Sequence, residues 1–232
     1  MPDGGGAGGG RRAGDRGRYG RLSRELVMAS ALEVVDRDGL SGLSMRGLGA
    51  ELGVEAMALY RYAAGKDELL DGLVGAFFLE LEDELGEPDR KPDGDWRAGL
   101  HRVALATYRT AMRHPNVVPL LATRLLTTPL ARRPEPVLRS DERILALLAD
   151  LEDHRALTLH RAFTAWLLGY LIVELRALVD APEEVDPAFR IGLHRISANE
   201  LPHLRATAIG LAARGGPEEL VTGLDALLDR FD

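Results

Sequence analysis

The sequence has no cysteine and no long apolar run. Without cysteine among its 232 residues, a disulfide framework, a zinc–thiolate site and a cysteine nucleophile are excluded. The longest apolar run, residues 162–173, is too short to span a bilayer, and the chain begins without an apolar signal core. No glycine-rich phosphate-binding motif occurs, and no stretch alternates as a β-strand does. These absences favour a soluble, cytoplasmic, all-α protein.

Charge is distributed unevenly along the chain. Residues 1–66 hold ten basic and eight acidic residues, a net charge of +2, whereas residues 67–232 hold nineteen and twenty-eight, a net charge of −9. Six of the N-terminal cations lie within fourteen residues: Arg11, Arg12, Arg16, Arg18, Arg21 and Arg24. Although the total of −7 disfavours a nucleic-acid partner, this asymmetry suits a small nucleic-acid-binding head on a larger acidic body.

The first 21 residues are rich in glycine and arginine and have no periodicity, which predicts a disordered tail. Such a tail is either simply solvated or tracks phosphates and enters a minor groove. For residues 1–14 both interpretations stay open. Arg18, Arg21 and Arg24 lie next to the first predicted helix and are expected to contact DNA.

From Ser23 onward the apolar spacing predicts helices only. The first is expected to end near Gly39, and the fourth to run from Lys66 to about Glu84, followed by a loop over 86–94. Later helices are predicted over residues 95–113, 116–127, 134–150, 153–180, 187–212 and 217–231. Pro119 and Pro202 fall inside two of these and should kink or interrupt them.

Residues 43–70, LSMRGLGAELGVEAMALYRYAAGKDELL, have the spacing of two short helices that cross closely. Gly49 would let the two backbones approach, and Gly53 would take the left-handed conformation that ends the first helix. Leu59 would point into the core. A helix-turn-helix of this kind places its second helix in the DNA major groove.

Together with Tyr60-x-Tyr62 and KDELL at 66–70, this segment closely resembles the amino-terminal domain of the tetracycline-repressor (TetR) family of bacterial transcriptional regulators. The resemblance implies an all-α fold, with a three-helix DNA-binding domain followed by a larger helical ligand-binding and dimerisation domain. The expected division is a tail over 1–21, the DNA-binding domain over 22–68 and the larger domain over 69–232.

The second helix of this helix-turn-helix and the residues around it form the predicted DNA-binding face. Its residues are Arg21, Arg24, Met45, Arg46, Ala56, Met57, Ala58, Tyr60, Arg61, Tyr62 and Lys66. The resemblance implies that Tyr60 and Tyr62 donate their hydroxyls to phosphates or pack on the sugar-phosphate edge. Lys66 would reinforce the anion site at the N-terminus of the fourth helix.

Alanine at positions 56 and 58 departs from family members that carry amide or hydroxyl side chains there. Ala56 and Ala58 can offer only apolar contacts, for instance to a thymine methyl. Arg46, Arg61 and DNA shape would then supply more of the sequence specificity.

Beyond Leu70 the resemblance is looser and points to the branch that includes the tetracycline repressors. It rests on Trp96, on RHPN at 113–116, on Thr123-Arg124 and on AWLLGY at 165–170. In that branch two C-terminal helices form a four-helix bundle with the partner chain, which implies a homodimer through about 153–180 and 217–231. Burial within one chain would explain the apolar character of 153–180 equally well.

The resemblance also implies an effector pocket in the larger domain. Tetracycline-binding relatives hold a magnesium-chelated drug with histidine and amide side chains, but here Leu120 or Leu121 and Val103 occupy the corresponding positions. That replacement argues for a largely apolar or aromatic effector and no metal or cofactor. The candidate contacts are Glu82, His101, Val103, Thr107, Leu120, Arg124, His160, Trp166 and Tyr170, each of which has a purely structural alternative.

The resulting hypothesis is a homodimeric, ligand-responsive repressor on a palindromic operator. A small molecule would shift the helix that continues from Lys66 and thereby separate the two DNA-binding heads. One alternative is a ligand-independent regulator or activator on the same scaffold. The other is an all-helical binding or catalytic module without a DNA function, although no nucleophile–base pair stands out and an enzyme is not expected.

Overall fold

The computed structural model describes residues 22–86, 95–180, 192, 195–213 and 215–231, and these form helices and connecting turns without a β-strand. The helices are α1 Arg24–Gly42, α2 Met45–Leu52, α3 Ala56–Leu59, α4 Lys66–Leu85, α5 Trp96–Arg113, α6 Val118–Thr127, α7 Glu135–Leu147, α8 Asp153–Asp180, α9 Pro202–Ala212 and α10 Gly216–Leu228. Short 3-10 turns follow α5, α6 and α10. The predicted all-α fold is confirmed.

Two prolines mark helix starts at positions where the sequence predicts interruptions. Pro119 lies at the second position of α6. The N–H groups of the first helical turn have no carbonyl partner within the helix, so proline at this position breaks no hydrogen bond and does not kink the helix. Pro202 opens α9, and residues 195–201 before it are not α-helical. The helix predicted over 187–212 therefore begins too early, because its described residues before Pro202 are not α-helical. Residues 187–191 lie outside the described residues.

Local side chains and glycines fix the first three helices, which we call the head. Ser23 Oγ accepts the N–H of Leu26 at 3.1 Å to cap α1, and Ser44 Oγ accepts the N–H of Gly47 at 3.1 Å to cap α2. Gly39 breaks the helical conformation of α1 with φ 71°, where the sequence predicted its end. The head thus follows from capping and turn residues that are visible in the sequence.

The turn between α2 and α3 has the geometry that its glycines predict. Gly53 ends α2 at φ 66° and ψ 33°, in the left-handed region that favours glycine. A Cβ on Gly49 would lie 2.9 Å from the carbonyl oxygen of Val54 and 3.2 Å from the N of Ala56. Leu59 is completely buried beneath the two helices. A side chain at position 49 would therefore push α2 and α3 apart.

Helix α4 joins the head to the remaining helices α5–α10, which we call the body. It packs on α1 at its beginning and on α5 and α7 further along, with Leu69, Leu73 and Phe77 buried. One hydrophobic core runs from α1 to α10 through these residues. Helix α4 therefore contacts both the head and the body.

Helix α8 has one buried and one exposed face. Leu159, Phe163, Leu167 and Leu171 are buried against the body. By length and composition the segment Asp153–Leu175 could cross a membrane, and 33% of its most apolar window is buried. Trp166, Tyr170 and Ile172 are part-buried against the core, whereas Leu157 and Val173 are exposed, Val173 at 74%.

Candidate nucleic-acid interface and ligand-binding residues

Five exposed side chains lie on α2, on and just after α3, and at the start of α4, and we call this set the recognition surface: Arg46, Met57, Tyr60, Arg61 and Lys66. Met57 is 76% exposed and Tyr60 47%. The three cations have no ion-pair partner within the part of the chain that the structure describes. A surface of unpaired cations and exposed apolar groups can bind a polyanion with an apolar edge.

Lys66 is the first residue of α4 and adds its charge to the free N–H groups of that helix end. Phosphates are favoured at such a position because the helix dipole and the ammonium act in the same direction. Lys66 is exposed and follows Arg61 by five residues, so its role in DNA binding stays a prediction.

Other residues predicted to contact DNA are less accessible. Ala58 is buried at 8% exposure, because it lies on the underside of α3 beside Leu59, so its placement on the exposed face was wrong. Met45 is half-buried against the core, and Ala56 is half-exposed at the start of α3. Arg21 lies outside the described residues, as does Arg18.

Tyr62 and Arg24 make contacts within the head. The hydroxyl of Tyr62 donates to the carbonyl of Leu22 at 2.9 Å. Arg24 donates to the carbonyl of Tyr62 at 2.7 Å and to the carboxylate of Glu68 at 3.1 Å. The N–H of Ala64, and after it Arg24, lowers the pKa of Glu68. These bonds tie the start of α1 to the chain that leaves α3.

A contrasting cation lies elsewhere on the head. Arg37 binds Asp38 and Glu51, at 3.0 and 3.3 Å, and the two carboxylates raise its pKa, Asp38 more than Glu51. Its charge is balanced within the head, unlike those of the recognition surface. The unpaired cations thus differ in kind from other arginines of the same domain.

Two of the predicted effector contacts are paired with side chains of other helices. Glu82 binds Arg139 at 2.6 Å, and His101 Nε2 lies 2.8 Å from Asp225. These pairs were not predicted.

Arg124, a third predicted effector contact, makes a similar link between α6 and the beginning of α4. It binds Asp67 at 2.8 Å and Asp71 at 3.1 Å, directly after Lys66. Because Arg124 is only a quarter exposed while Asp67 is largely exposed, the link lies at the edge of the body.

Three further candidates lie in the apolar interior of the body. Val103, Thr107 and Leu120 are buried on α5 and α6. Thr107 Oγ1 donates to the carbonyl of Val103 at 2.7 Å, which commits its proton within the helix. These residues can offer an effector apolar surface and little hydrogen bonding.

The last three candidates lie on α8 and make contacts within the body. His160 Nε2 lies 3.2 Å from Asp141, and the rings of Trp166 and Tyr170 stack with centroids 5.7 Å apart. The hydroxyl of Tyr170 donates to the carbonyl of Gly216, and burial, followed by the charge of Glu174, raises the pKa of Tyr170 to about 12. Among the described residues no group of three histidine, aspartate or glutamate side chains could hold a metal ion.

A crevice of about 660 Å³ lies between α1, α4 and the start of α7. Met28, Leu32, Gly75 and Pro134 belong to its apolar lining, and Arg24 lies at its rim. Of the nine predicted effector contacts, none lines it. Local side-chain chemistry does not indicate this crevice, because it forms between segments that are far apart along the chain.

The structure also reveals a junction between head and body that was not predicted. His114, at the end of α5, lies between Asp36 of α1 and Glu80 of α4. Asn116 donates to the carbonyls of Val35 and Asp36, at 3.0 and 3.2 Å. No local pattern indicates these contacts, since Asp36 and His114 are 78 residues apart.

Comparison with known proteins matches both parts of the chain to one family. Residues 27–73 match the family described as "Bacterial regulatory proteins, tetR family". Residues 87–229, more than half of the chain, match "Tetracyclin repressor-like, C-terminal domain".

Individual relatives are similar over part of their length. The HTH-type transcriptional repressor DrrR1 of Streptomyces coeruleorubidus is 38% identical over 120 residues, which are 50% of this chain and 42% of that protein. The tetracycline repressor protein class C of Escherichia coli is 37% identical over 99 residues, 40% of this chain and 44% of that protein. The matched segments thus span less than half the length of these relatives.

Solved structures are similar over nearly the whole chain. A possible TetR family transcriptional regulator from Streptomyces coelicolor A3(2) has 27% identity and a TM-score of 0.74, covering 90% of this chain and 98% of that one. The Streptomyces coelicolor TetR family protein ActR, solved in complex with (S)-DNPA, has 21% identity and a TM-score of 0.68, covering 90% and 96%. The latter similarity concerns the fold alone.

Proposed function

The chain belongs to the TetR family of bacterial transcriptional regulators, and we propose that it is a cytoplasmic, ligand-responsive repressor that binds a palindromic operator as a homodimer. In this proposal residues 22–68 read the DNA and residues 69–232 bind the effector and the partner chain. The observation that carries it is the recognition surface, whose three cations have no partner in the described chain. A DNA backbone supplies the missing negative charge.

The recognition surface supports specific roles for its residues. Arg46 and Arg61 have the length and charge to reach a phosphate or a guanine edge, and Lys66 is placed to bind a phosphate at the N-terminus of α4. Met57 supplies an apolar contact in the groove, and the hydroxyl of Tyr60 is available to a phosphate. With few polar groups on α3 itself, base reading depends on the arginines and on DNA shape.

The exposed face of α8 supports the homodimer. Arg161, Ala165, Gly169 and Val173 follow one another at intervals of four residues and are all exposed. A Cβ on Gly169 would meet no atom within 4 Å, so the middle of this face is open and flat. Such a face allows close approach of the same helix from a second copy about a two-fold axis. In α10 the apolar residues Leu220, Leu224 and Leu228 are buried within the chain, so α8 contributes more of the interface.

The interior of the body supports an apolar or aromatic effector. Glu82 and Arg124 are engaged in ion pairs, His101 is hydrogen-bonded to Asp225, and Thr107 donates within its own helix. An effector that approaches these helices therefore meets mostly hydrocarbon. Relatives that are themselves named repressors support repression rather than activation. We propose no catalytic activity.

A binding experiment tests the DNA-binding proposal. Fluorescence anisotropy with duplexes from the region upstream of the protein's own gene is expected to show saturable binding by the full chain. Apolar aromatic compounds that raise the protein's melting temperature in a thermal-shift screen are expected to release the duplex. Failure to bind any upstream duplex above a scrambled control would contradict the proposal, and a stabilising compound that leaves DNA affinity unchanged would contradict ligand response.

A substitution on α8 tests the homodimer. Gly169→Glu places a charge on the proposed interface, and because position 169 faces open space the monomer itself should fold. Light scattering is expected to show a dimer for the wild type and for Ala146→Glu, an exposed control on α7, but a monomer for Gly169→Glu. A dimer that survives Gly169→Glu would place the interface elsewhere.

A further inference from the structure

His114 occupies the point where the head, α4 and α5 meet. It caps the C-terminal end of α5, where its own N–H donates to the carbonyls of Thr110 and Ala111. The residue is 8% exposed, and the ring of Phe77 packs edge-on against it, with centroids 6.5 Å apart. A histidine in this position touches both parts of the molecule and is shielded from water.

Both ring nitrogens of His114 face carboxylates. Nδ1 lies 2.7 Å from Oδ2 of Asp36 in the head, and Nε2 lies 2.8 Å from Oε2 of Glu80 on α4. A neutral imidazole has only one N–H and can donate to only one of these oxygens. The geometry therefore fits the imidazolium ion, which donates to both.

The charged groups around His114 affect the stability of its protonated form. Asp36 faces it from α1 and Glu80 from α4, whereas Arg113 of its own helix lies 3.7 Å from Glu80 and 3.2 Å from Glu84. The C-terminal end of α5 adds a partial negative charge. Burial by itself lowers the pKa of His114, but Asp36 and Glu80 together outweigh it, so the pKa lies above its ordinary value.

Loss of the proton from His114 would weaken its contacts with Asp36 and Glu80. One of the two hydrogen bonds would break, and a ring lone pair would face a carboxylate oxygen. Oδ1 of Asp36 is already buried without a hydrogen-bond partner among the described residues, so this carboxylate depends on His114 for its compensation. The bonds from Asn116 to the carbonyls of Val35 and Asp36 do not titrate and would keep the head and the body from separating completely.

We propose that His114 is a positioning residue, whose protonated ring clamps the DNA-binding head to the body and makes operator binding weaken as pH rises. The proposal rests on the proposed function. Two heads held at a fixed separation lose less conformational freedom on a palindromic operator than two loosely attached heads, and therefore bind more tightly. Because the clamped head binds the proton of His114 more tightly than the loose head does, raising the pH shifts the population from clamped to loose heads.

Operator affinity measured between pH 6 and 9 tests the clamp. Wild-type affinity is expected to fall about tenfold over this range, while His114→Gln binds weakly throughout with little dependence on pH. His101→Gln is the matched control, because His101 also pairs with a carboxylate, Asp225, but joins α5 to α10 away from the head. The proposal is wrong if His114→Gln retains the wild-type pH profile, or if His101→Gln removes it.

A measurement without DNA separates this inference from the proposed function. The absence of native cysteine allows spin labels at Ala50→Cys on the head and Ala146→Cys on the body, both at exposed positions, with labelled chains diluted in unlabelled protein. The distance distribution is expected to broaden as pH rises in the wild type and in His101→Gln, and to be broad at every pH in His114→Gln. A distance distribution that does not change with pH overturns the clamp, even if operator binding is normal. If the protein binds no operator but its distribution broadens as pH rises, only the repressor proposal is refuted.

Discussion

The recognition surface and the head–body junction both carry cationic groups, but only those of the junction are paired with carboxylates of the described chain. On the recognition surface Arg46, Arg61 and Lys66 have no ion-pair partner in the described chain. At the junction His114 faces two carboxylates, those of Asp36 and Glu80. The first surface therefore leaves its charge for an external polyanion, whereas the second balances its charges internally.

This difference separates binding from stability. Substitutions on the recognition surface remove groups that act only when DNA is bound, so they should change affinity and its salt dependence and leave folding intact. Substitutions at the junction leave partly buried groups without compensation, so they should change the free energy of unfolding and its pH dependence. The comparison fails if either surface shows the behaviour of the other.

The largest expected effect is on DNA affinity. The double variant Arg61→Ala/Lys66→Ala should weaken operator binding roughly 100-fold, about tenfold for each cation removed, and reduce the slope of log affinity against log salt by about two. Arg37→Ala should bind as the wild type does, because Arg37 is paired within the head. Anisotropy titrations at several salt concentrations measure both quantities, and equal reductions for the two proteins would refute a special role for the unpaired cations.

The next effect is on stability at the junction. His114→Ala should lower the free energy of unfolding by about 2 to 3 kcal/mol at pH 6, because Asp36 and Glu80 lose their common cation. Arg139→Ala, which breaks a more exposed pair with Glu82, should lower the free energy of unfolding by much less. Urea denaturation at a fixed protein concentration measures the loss of unfolding free energy in both variants. Similar losses would show that His114 stabilises the fold no more than an ordinary surface ion pair does.

The same experiment has a defined pH dependence. Burial lowers the pKa of His114 and the two carboxylates raise it further than burial lowers it, so the folded pKa is above the unfolded value. The stabilisation is therefore complete below about pH 6.5, the ordinary histidine pKa, and is lost as pH rises through the folded pKa. The difference between wild type and His114→Ala should shrink from pH 6 to pH 9, and a growing difference would reverse the assigned charge state.

A third prediction concerns the geometry that exposes the recognition surface. Gly49→Ala should destabilise the protein by about 1 to 2 kcal/mol, because its Cβ would meet the backbone of Val54 and Ala56. Gly210→Ala is the matched control, since it lies inside α9 with no atom within 4 Å of a Cβ and should gain up to about 1 kcal/mol of helix propensity. Urea midpoints that shift in the same direction would show that the α2–α3 approach is less tight than the distances indicate.

The parts of the fold that depend on neighbouring residues could be predicted from the sequence. Ser44 caps α2, Gly53 turns the chain, and α8 spans Asp153–Asp180, as their local patterns predict. The length of α9 could not be predicted in the same way, because residues 195–201 have apolar spacing but are not α-helical in the fold. Proline at position 202 was the better indicator of the helix start.

The candidate site was less predictable because it depends on which helices meet. The choice of His101 and Arg124 as effector contacts rested on side-chain chemistry, but packing pairs them with Asp225 and with Asp67 and Asp71. Ala58 illustrates the same limit at short range, since a helix of four residues has an underside that periodicity defines poorly. Local motifs could identify the recognition surface, whereas the junction required the three-dimensional arrangement.

The two tyrosines near α3 give the smallest expected effects and the sharpest test of the comparison. Tyr60 is exposed, so Tyr60→Phe should weaken operator binding a few-fold, the loss of one hydrogen bond worth about 1 kcal/mol, without changing stability. The hydroxyl of Tyr62 already donates to the carbonyl of Leu22, so Tyr62→Phe should instead lower the free energy of unfolding by about 1 kcal/mol. The same chemical change two residues apart should therefore act on binding in one case and on folding in the other. If Tyr62→Phe weakened DNA binding as much as Tyr60→Phe and left stability unchanged, its hydroxyl would belong to the recognition surface.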